Sequence, residues 1–467
     1  MQDAENSKFI RMTTEPIPRL VCTLAVPTIV SMLVTALYNI ADTFFVGRVG
    51  TEATAGVGLV FPIMAVIQAF GFFFGQGSGN YISRSLGARR MDEAAFMAAT
   101  GAVCALLFGC LITAFGLCFR SGVLFVLGAR EGLVSGETIG CAREYFTLII
   151  CGAPFMCLSC VLNNQLRFQG NAFFAMIGLV SGAVLNVALD PLFIFGFGMG
   201  VAGAALATAI SQFVGCVLLY VGTLRSDSLK IRLRNFRPTL FYLRNITIGG
   251  LPSLCRQGLA SLSTLCLNAA AGSSVAAAEA DAAIAAFSVV NKIMMFAFSA
   301  LLGFGQAFQP VCGFNYGAAR YDRVRRAYLF CLRVGLTFLF VSSCLGFLFA
   351  PRLVAAFRDD PAVIAFGTLA MRCQCCSFTL MAVVTITNML YQNIGRVVGA
   401  TLLAVARQGL MFIPVVLILP QVFRVPIWGV YLAQPTADVF AFALALILAV
   451  RMYRELLRRE AEAAGAD

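Results

Sequence analysis

The chain contains no histidine, and only 12% of its 467 residues are charged. Without imidazole, any proton exchange near neutral pH falls to carboxylates. Cys373, Cys375 and Cys376 sit close together, but there is no second CxxC pair to complete a zinc or redox centre. Most of the 17 cysteines lie in apolar runs, as Cys104, Cys110, Cys151, Cys157, Cys160 and Cys344 do, where they act as small hydrophobes. No G-x-x-x-x-G-K-[ST] phosphate loop occurs, which excludes direct drive by ATP. The first residues carry Asp3, Glu5, Lys8, Arg11 and Arg19 and no apolar core, so no cleaved signal peptide is expected. The first apolar helix must then start insertion itself.

Hydrophobicity is what the chain has in excess. Sixty per cent of residues are hydrophobic, and the mean hydropathy of +0.87 is that of a multi-pass membrane protein. Apolar stretches fall at roughly 20–41, 56–82, 94–118, 139–165, 172–196 and 199–224. A second set falls at roughly 241–271, 283–310, 327–349, 362–392, 398–422 and 426–450. The expected fold is all-α, with twelve transmembrane helices in two lobes. Residues 20–224 and 241–453 form the lobes, and 225–240 is a basic connector. Segment 1–19 and tail 454–467 flank them. The patch Val123–Leu127 is too short to span and is expected to be loop.

Basic residues set the orientation. With the N-terminus in the cytoplasm, cytoplasmic segments hold about 23 of the 34 Lys and Arg, and the opposite side about seven. Those seven are Arg48, Arg120, Arg130, Arg143, Arg352, Arg358 and Arg424. Both termini are therefore expected inside, and the net charge of +12 is explained by membrane topology rather than by nucleic acid.

The halves repeat. Gly75-Gln76 and Gly87-Ala88 are matched by Gly305-Gln306 and Gly317-Ala318, at a shift of about 230 positions, and Arg90 and Asp92 by Arg320 and Asp322. Pro27 falls opposite Pro252, Gly170 opposite Gly395, and Gly203 opposite Gly429. Six spans separate equivalent positions, so the repeat is parallel, as in transporters whose halves alternate access around a site between them.

Three carboxylates lie inside apolar spans: Asp42, Asp190 and Asp438. A charge at the bilayer centre costs about 2.5–3.5 kcal/mol on insertion scales, which makes each a functional candidate. Tyr38 shares a helical face with Asp42, and Asn39 lies beside them; Asn186 shares a face with Asp190, and Pro191 follows. The first-half spans hold no central Lys or Arg, and burial without a countercharge favours the neutral carboxyl. Hydrogen bonding to a neighbouring Asn or Tyr is the alternative, purely structural reading. Asp438 differs, because Arg256, Lys292 and Arg372 are available for a buried ion pair. Pro27 and Pro252, near the start of the first span of each half, are either passive kinks or hinges. Phe and Met are abundant, as at Met294, Met295, Phe296 and Phe298, and serve as packing or as an adaptable cavity wall.

The chain resembles the multidrug and toxic compound extrusion family of the multidrug/oligosaccharide/polysaccharide flippase superfamily. The residues that carry the resemblance are Pro27, the string Tyr-Asn-Ile-Ala-Asp-Thr-Phe-Phe-Val-Gly at 38–47, and Gly87-Ala88-Arg89-Arg90. Asn186 to Pro191 and the Gly-Val-Ala-Gly-Ala-Ala-Leu-Ala-Thr string at 200–208 complete them. The resemblance implies two six-helix lobes around a V-shaped central cavity, and antiport of organic cations against H⁺ or Na⁺. It is closest to the DinF-like branch that couples through its N-lobe, which maps onto Tyr38, Asn39, Asp42, Asn186, Asp190 and Thr208, with Pro27 as hinge. The branch using C-lobe acids is not matched, since Arg256-Gln257 and Thr387-Asn388 stand in the seventh and tenth helices.

The function expected is therefore secondary active export of cationic drugs by a monomer in a bacterial or archaeal plasma membrane. Its partners are the bilayer and small lipophilic cations; no resident cofactor is expected, and sodium is a possible ligand only at Asp42, Asn186, Asp190 and Thr208. A flippase of lipid-linked oligosaccharide is the related alternative, but a pyrophosphate head group would favour a more cationic first half. A membrane enzyme is the remote one, lacking a nucleophile and base.

Overall fold

The structure, a computed structural model, describes residues 2–130, 134–225, 229–275, 279–358, 360–423 and 425–464. Arg424 lies outside the described residues, as do the side chains of Asp3 and Glu5 and the last residues of the tail. Among the described residues there is no β-strand.

The first helices are α1 (Gln2–Thr14), α2 (Ile17–Gly47), α3 (Thr51–Gly87), α4 (Met91–Cys118), α5 (Arg120–Val126) and α6 (Gly136–Phe168). Then come α7 (Ala172–Pro191), which runs on as a π-helical turn Leu192–Gly196, and α8 (Gly200–Arg225). The second set is α9 (Leu240–Ser273), α10 (Ala280–Gly317), α11 (Tyr321–Phe357), α12 (Pro361–Phe378) and α13 (Met381–Asn393). It closes with α14 (Val397–Val405), a π-helical turn Ala406–Leu410, α15 (Phe412–Val422) and α16 (Pro426–Ala464).

Each of the twelve expected stretches becomes a helix or a broken helix. Ten are long and apolar enough to cross a membrane, and the pair α12 and α13, bent by 52° at Thr379-Leu380, makes an eleventh. The remaining helix, α9, has 34 residues but is less apolar, because Arg256 and Gln257 interrupt its middle. One detail differs from the sequence reading: residues 123–126, expected as loop, belong to the short helix α5. Segment 1–19 is helical over α1, and the tail continues α16 to Ala464.

Helix α1 is held in place. Met12 and Lys8 lie against Gly170, Lys8 donates to the Asn171 side chain, and the Arg89 guanidinium stands 4.3 Å over the Phe9 ring.

The chain forms two compact units, Met1–Thr14 with Val26–Leu254, and Glu15–Ala25 with Cys255–Asp467. They divide not at the basic connector but inside α2 and α9, next to Pro27 and Pro252. Both helices run unbroken through their prolines. A proline deprives the preceding turn of one backbone bond, so the two parts of such a helix are the least firmly tied to each other there.

The sequence repeat recurs as backbone geometry within each unit. At the end of α3, the amide of Ala88 bonds the Arg84 carbonyl at 2.9 Å and that of Arg90 bonds Ser85 at 2.8 Å, with Arg89 left-handed at φ 59°. At the end of α10, Ala318 bonds Phe314 at 2.9 Å and Arg320 bonds Asn315 at 2.8 Å, with Ala319 at φ 57°. A non-glycine residue seldom takes this conformation, so its recurrence at one register is informative. Gly170 and Gly395, at φ 78° and 80°, end α6 and α13 in the same way. A Cβ on Gly203 would stand 2.8 Å from the Phe193 carbonyl carbon, and one on Gly429 2.4 Å from the Pro420 nitrogen. Both α8 and α16 thus cross a neighbouring backbone at a distance only glycine admits.

Candidate functional site

In the first unit, helix α7 places Asn186 and Asp190 one turn apart on one face, and α8 brings Thr208 against them. The Asn186 side-chain amide lies 3.3 Å from the Thr208 hydroxyl and 3.4 Å from Asp190 Oδ1, shared between two acceptors. All three side chains are buried, Asp190 completely. Pro191 follows at once, and the helix widens into the π-helical turn Leu192–Gly196. Such turns form where a proline or an inserted residue disrupts the regular ladder, and they often mark functional sites.

Asp42, on another helix, α2, lies within electrostatic range of this cluster. It is half-buried, and its field acts on both Asp190 and Tyr38. The two carboxylates thus share one electrostatic neighbourhood. Tyr38, also half-buried, stands with them. Asn39 does not: it is exposed and donates to the Thr35 carbonyl of its own helix at 2.8 Å. One step along a helix turns a side chain by about 100°, so Asn39 points away from the direction of Tyr38.

Two residues of this neighbourhood escaped sequence reasoning. Tyr145 of α6 is buried and lies in the field of Asp42, Tyr38 and Asp190. Ser211 of α8 is buried one turn beyond Thr208, on the same face. A hydroxyl spaced three residues from Thr208 was the available signal for Ser211; nothing local marks Tyr145.

Asp42 Oδ1, Asn186 Oδ1, Asp190 Oδ2 and Ser211 Oγ are buried and meet no hydrogen-bond partner among the described residues. No Lys or Arg there bonds either carboxylate. Buried oxygens are normally satisfied. Carboxylate, amide and hydroxyl oxygens of this kind are groups that can take a proton or a hard cation.

The second unit solves the same problem internally. Asp438 on α16, 2% exposed, accepts from Gln434 at 2.8 Å, from the Ser377 hydroxyl at 3.0 Å and from Arg407 at 3.4 Å. The ion pair expected for Asp438 is present, but the partner is Arg407, not Arg256, Lys292 or Arg372. Arg407 belongs to the π-helical turn Ala406–Leu410, which interrupts an otherwise apolar span. Lys292 is exposed, and the Arg372 guanidinium lies 5.4 Å from the Phe347 ring centroid.

The sequence model of the MatE family matches residues 27–192 and 258–418, in two blocks that fall on the two halves. The chain is 28% identical over 439 residues to the multidrug export protein MepA of Staphylococcus saprophyticus, covering 93% of each. Its fold matches the crystal structure of a MATE protein in complex with MaL6 at a TM-score of 0.90 and 26% identity, over 96% of this chain and 99% of the other. It also matches a MATE crystal structure in the bent conformation at 0.88 and 26% identity, over 97% and 99%.

Proposed function

The chain belongs to the MatE family, and we propose that it is a secondary active multidrug exporter that antiports lipophilic cations against protons by alternating access. The observation that carries the coupling assignment is the cation-free cluster of Asp42, Asn186, Asp190 and Thr208, with its unsatisfied oxygens. The DinF-like branch, which couples through the N-lobe, is the one this cluster fits. Localisation follows the same reading: a bacterial or archaeal plasma membrane, with both termini cytoplasmic, a placement the bias of basic residues supports.

Two carboxylates close together in a poorly solvated site are costly when both are charged. A lipophilic cation neutralises them from one side of the membrane, and a proton displaces it on the other. A proton on the cluster removes the attraction that holds the drug, and release of that proton resets the site. Each occupant favours the conformation it binds better, and only this differential binding moves the protein between states. Pro27 is the proposed bending point of α2, next to the division of that helix between Ala25 and Val26. Sodium competes for the same oxygens, since carboxylate, amide and hydroxyl groups suit it equally well.

The test is ethidium efflux from right-side-out membrane vesicles, with the proton and sodium gradients collapsed separately. Collapse of the proton gradient should stop efflux, and collapse of the sodium gradient should not. Efflux that survives loss of the proton gradient and stops with loss of the sodium gradient would assign the cluster to sodium instead.

A further inference from the structure

The repeat that builds the two units breaks down at one place on the surface. In the second unit, residues 16–18 at the start of α2 and the first turns of α11 border a groove of about 520 Å³. Arg323, Arg326 and Arg333 supply its charge, Leu329 and Phe330 its apolar wall, and no carboxylate is among the described residues that line it. Arg323 is committed. It donates to the Glu15 carbonyl at 2.6 Å and to the Asn315 side chain at 2.9 Å, tying the chain that enters α2 to α11. The other two are not. Arg326, its side chain 68% exposed, reaches Asp322 only at 4.0 Å, a pair worth little at a surface. Arg333 is exposed within the apolar stretch 327–349 and has no hydrogen-bond or ion-pair partner among the described residues.

The first unit fills the matching place with its own chain. At the shift of about 230 positions, Arg323, Arg326, Phe330 and Arg333 answer Glu93, Phe96, Thr100 and Val103 of α4. There the basic connector lies against α4. The Arg237 guanidinium stands 4.1 Å from the Phe96 ring centroid, and the Arg237 amide donates to the Thr100 hydroxyl at 3.2 Å. A cation of the chain thus covers a wall that carries an acid and an aromatic ring. In the second unit the wall itself holds the cations, and no segment among the described residues covers it. The counterpart of the connector is the stretch before α2, and that is α1, which belongs to the first unit and is held at Gly170 and Asn171. Arg326 in place of Phe96, and Arg333 in place of Val103, therefore invert the charge that the groove calls for.

An exposed guanidinium inside an apolar span faces lipid, and the anion available at that depth is a phospholipid headgroup. Arg326 and Arg333 stand two turns apart on one face of α11, about 10 Å along its axis, close enough for both side chains to reach one headgroup. We propose that this groove docks an anionic phospholipid of the surrounding leaflet. Its phosphate lies between Arg326 and Arg333, and an acyl chain follows Leu329 and Phe330. Guanidinium forks match phosphate oxygens, and the apolar wall sets a lipid apart from a free phosphate. The site lies in the second unit and does not depend on which ion drives export.

Native mass spectrometry of the detergent-purified full-length protein tests this, with phosphatidylglycerol or phosphatidylcholine added at equal concentration. No gradient is present, so a failure of the coupling assignment leaves the result untouched. The unaltered protein should hold phosphatidylglycerol about tenfold more tightly than phosphatidylcholine, the gain expected of one charge-assisted bond. That arm does not depend on any variant folding. Arg326→Gln combined with Arg333→Gln, both exposed side chains, should bring the two lipids within about twofold of each other. Arg458→Gln, which removes an exposed arginine outside the groove, should leave the preference intact. A large excess of glycerol 3-phosphate should not displace the lipid. The proposal is overturned if the unaltered protein binds both lipids alike, or if the groove variant keeps the preference. Equal loss in Arg458→Gln would reduce the effect to diffuse charge, and displacement by glycerol 3-phosphate would assign the groove to a soluble phosphate; either result overturns it as well.

Discussion

Asp190 in α7 and Asp438 in α16 are both buried, both on helices that cross the membrane, and both close to a π-helical turn. They differ in what surrounds them. Asp190 has a shared amide and a second carboxylate, Asp42; Asp438 has an arginine, a glutamine and a serine. The difference decides their chemistry. A carboxylate whose partners are permanent has nothing to exchange, whereas one short of a countercharge must borrow it from solution. The register of the repeat sharpens this contrast. If Gly203 and Gly429 are aligned, Gln434 stands where Thr208 does and Asp438 where Gln212 does. The second unit thus carries its acid on the helix that answers α8, one turn beyond the position of Thr208, rather than on α2 or α7, and Arg407 comes to it from a neighbouring element.

The sharpest way to break this comparison is to remove each acid in turn. Asp42→Asn and Asp190→Asn should each reduce gradient-driven ethidium efflux to the level of empty vesicles, while melting in detergent stays near that of the parent. Normal efflux in both variants would dissolve the distinction. Arg407→Ala should instead destabilise the fold by about 3–5 kcal/mol, because it leaves Asp438 buried with no countercharge. The expected reading is a large drop in melting temperature. Replacing both members with apolar residues, as Arg407→Met with Asp438→Leu, should restore most of it; a double variant as unstable as the single would show that the pair is not the reason.

A milder probe concerns the helix crossings. Gly203→Ala and Gly429→Ala should each cost about 1–3 kcal/mol by overpacking, measured as thermal stability, with Gly429→Ala the worse because its Cβ would meet backbone more closely. Equal tolerance of both would mean that the crossings are not equivalent constraints. The smallest effect belongs to Asn39→Ala. Its side chain is exposed and bonded only to its own helix, so stability should change by less than about 0.5 kcal/mol and efflux should be unaltered. A strong loss of efflux would return Asn39 to the site.

Much of this was legible before any coordinates. The twelve apolar stretches, the internal repeat and the three intramembrane acids follow from residue type and spacing, because a bilayer penalises polar groups so heavily that each exception stands out. Pairs four apart on a helix, such as Asn186 with Asp190, are fixed by helical periodicity alone. Partners on different helices are not. Asp438 has several cations within its half of the sequence, and only packing selected Arg407 over Arg256, Lys292 and Arg372. Tyr145, far from Asp42 along the chain, comes within its field for the same reason. The division of α2 and α9 between two compact units likewise depends on which neighbours each turn meets. Sequence sets what each helix carries on each face; which faces meet is decided by side-chain volumes and crossing positions such as Gly203 and Gly429, which no local pattern encodes.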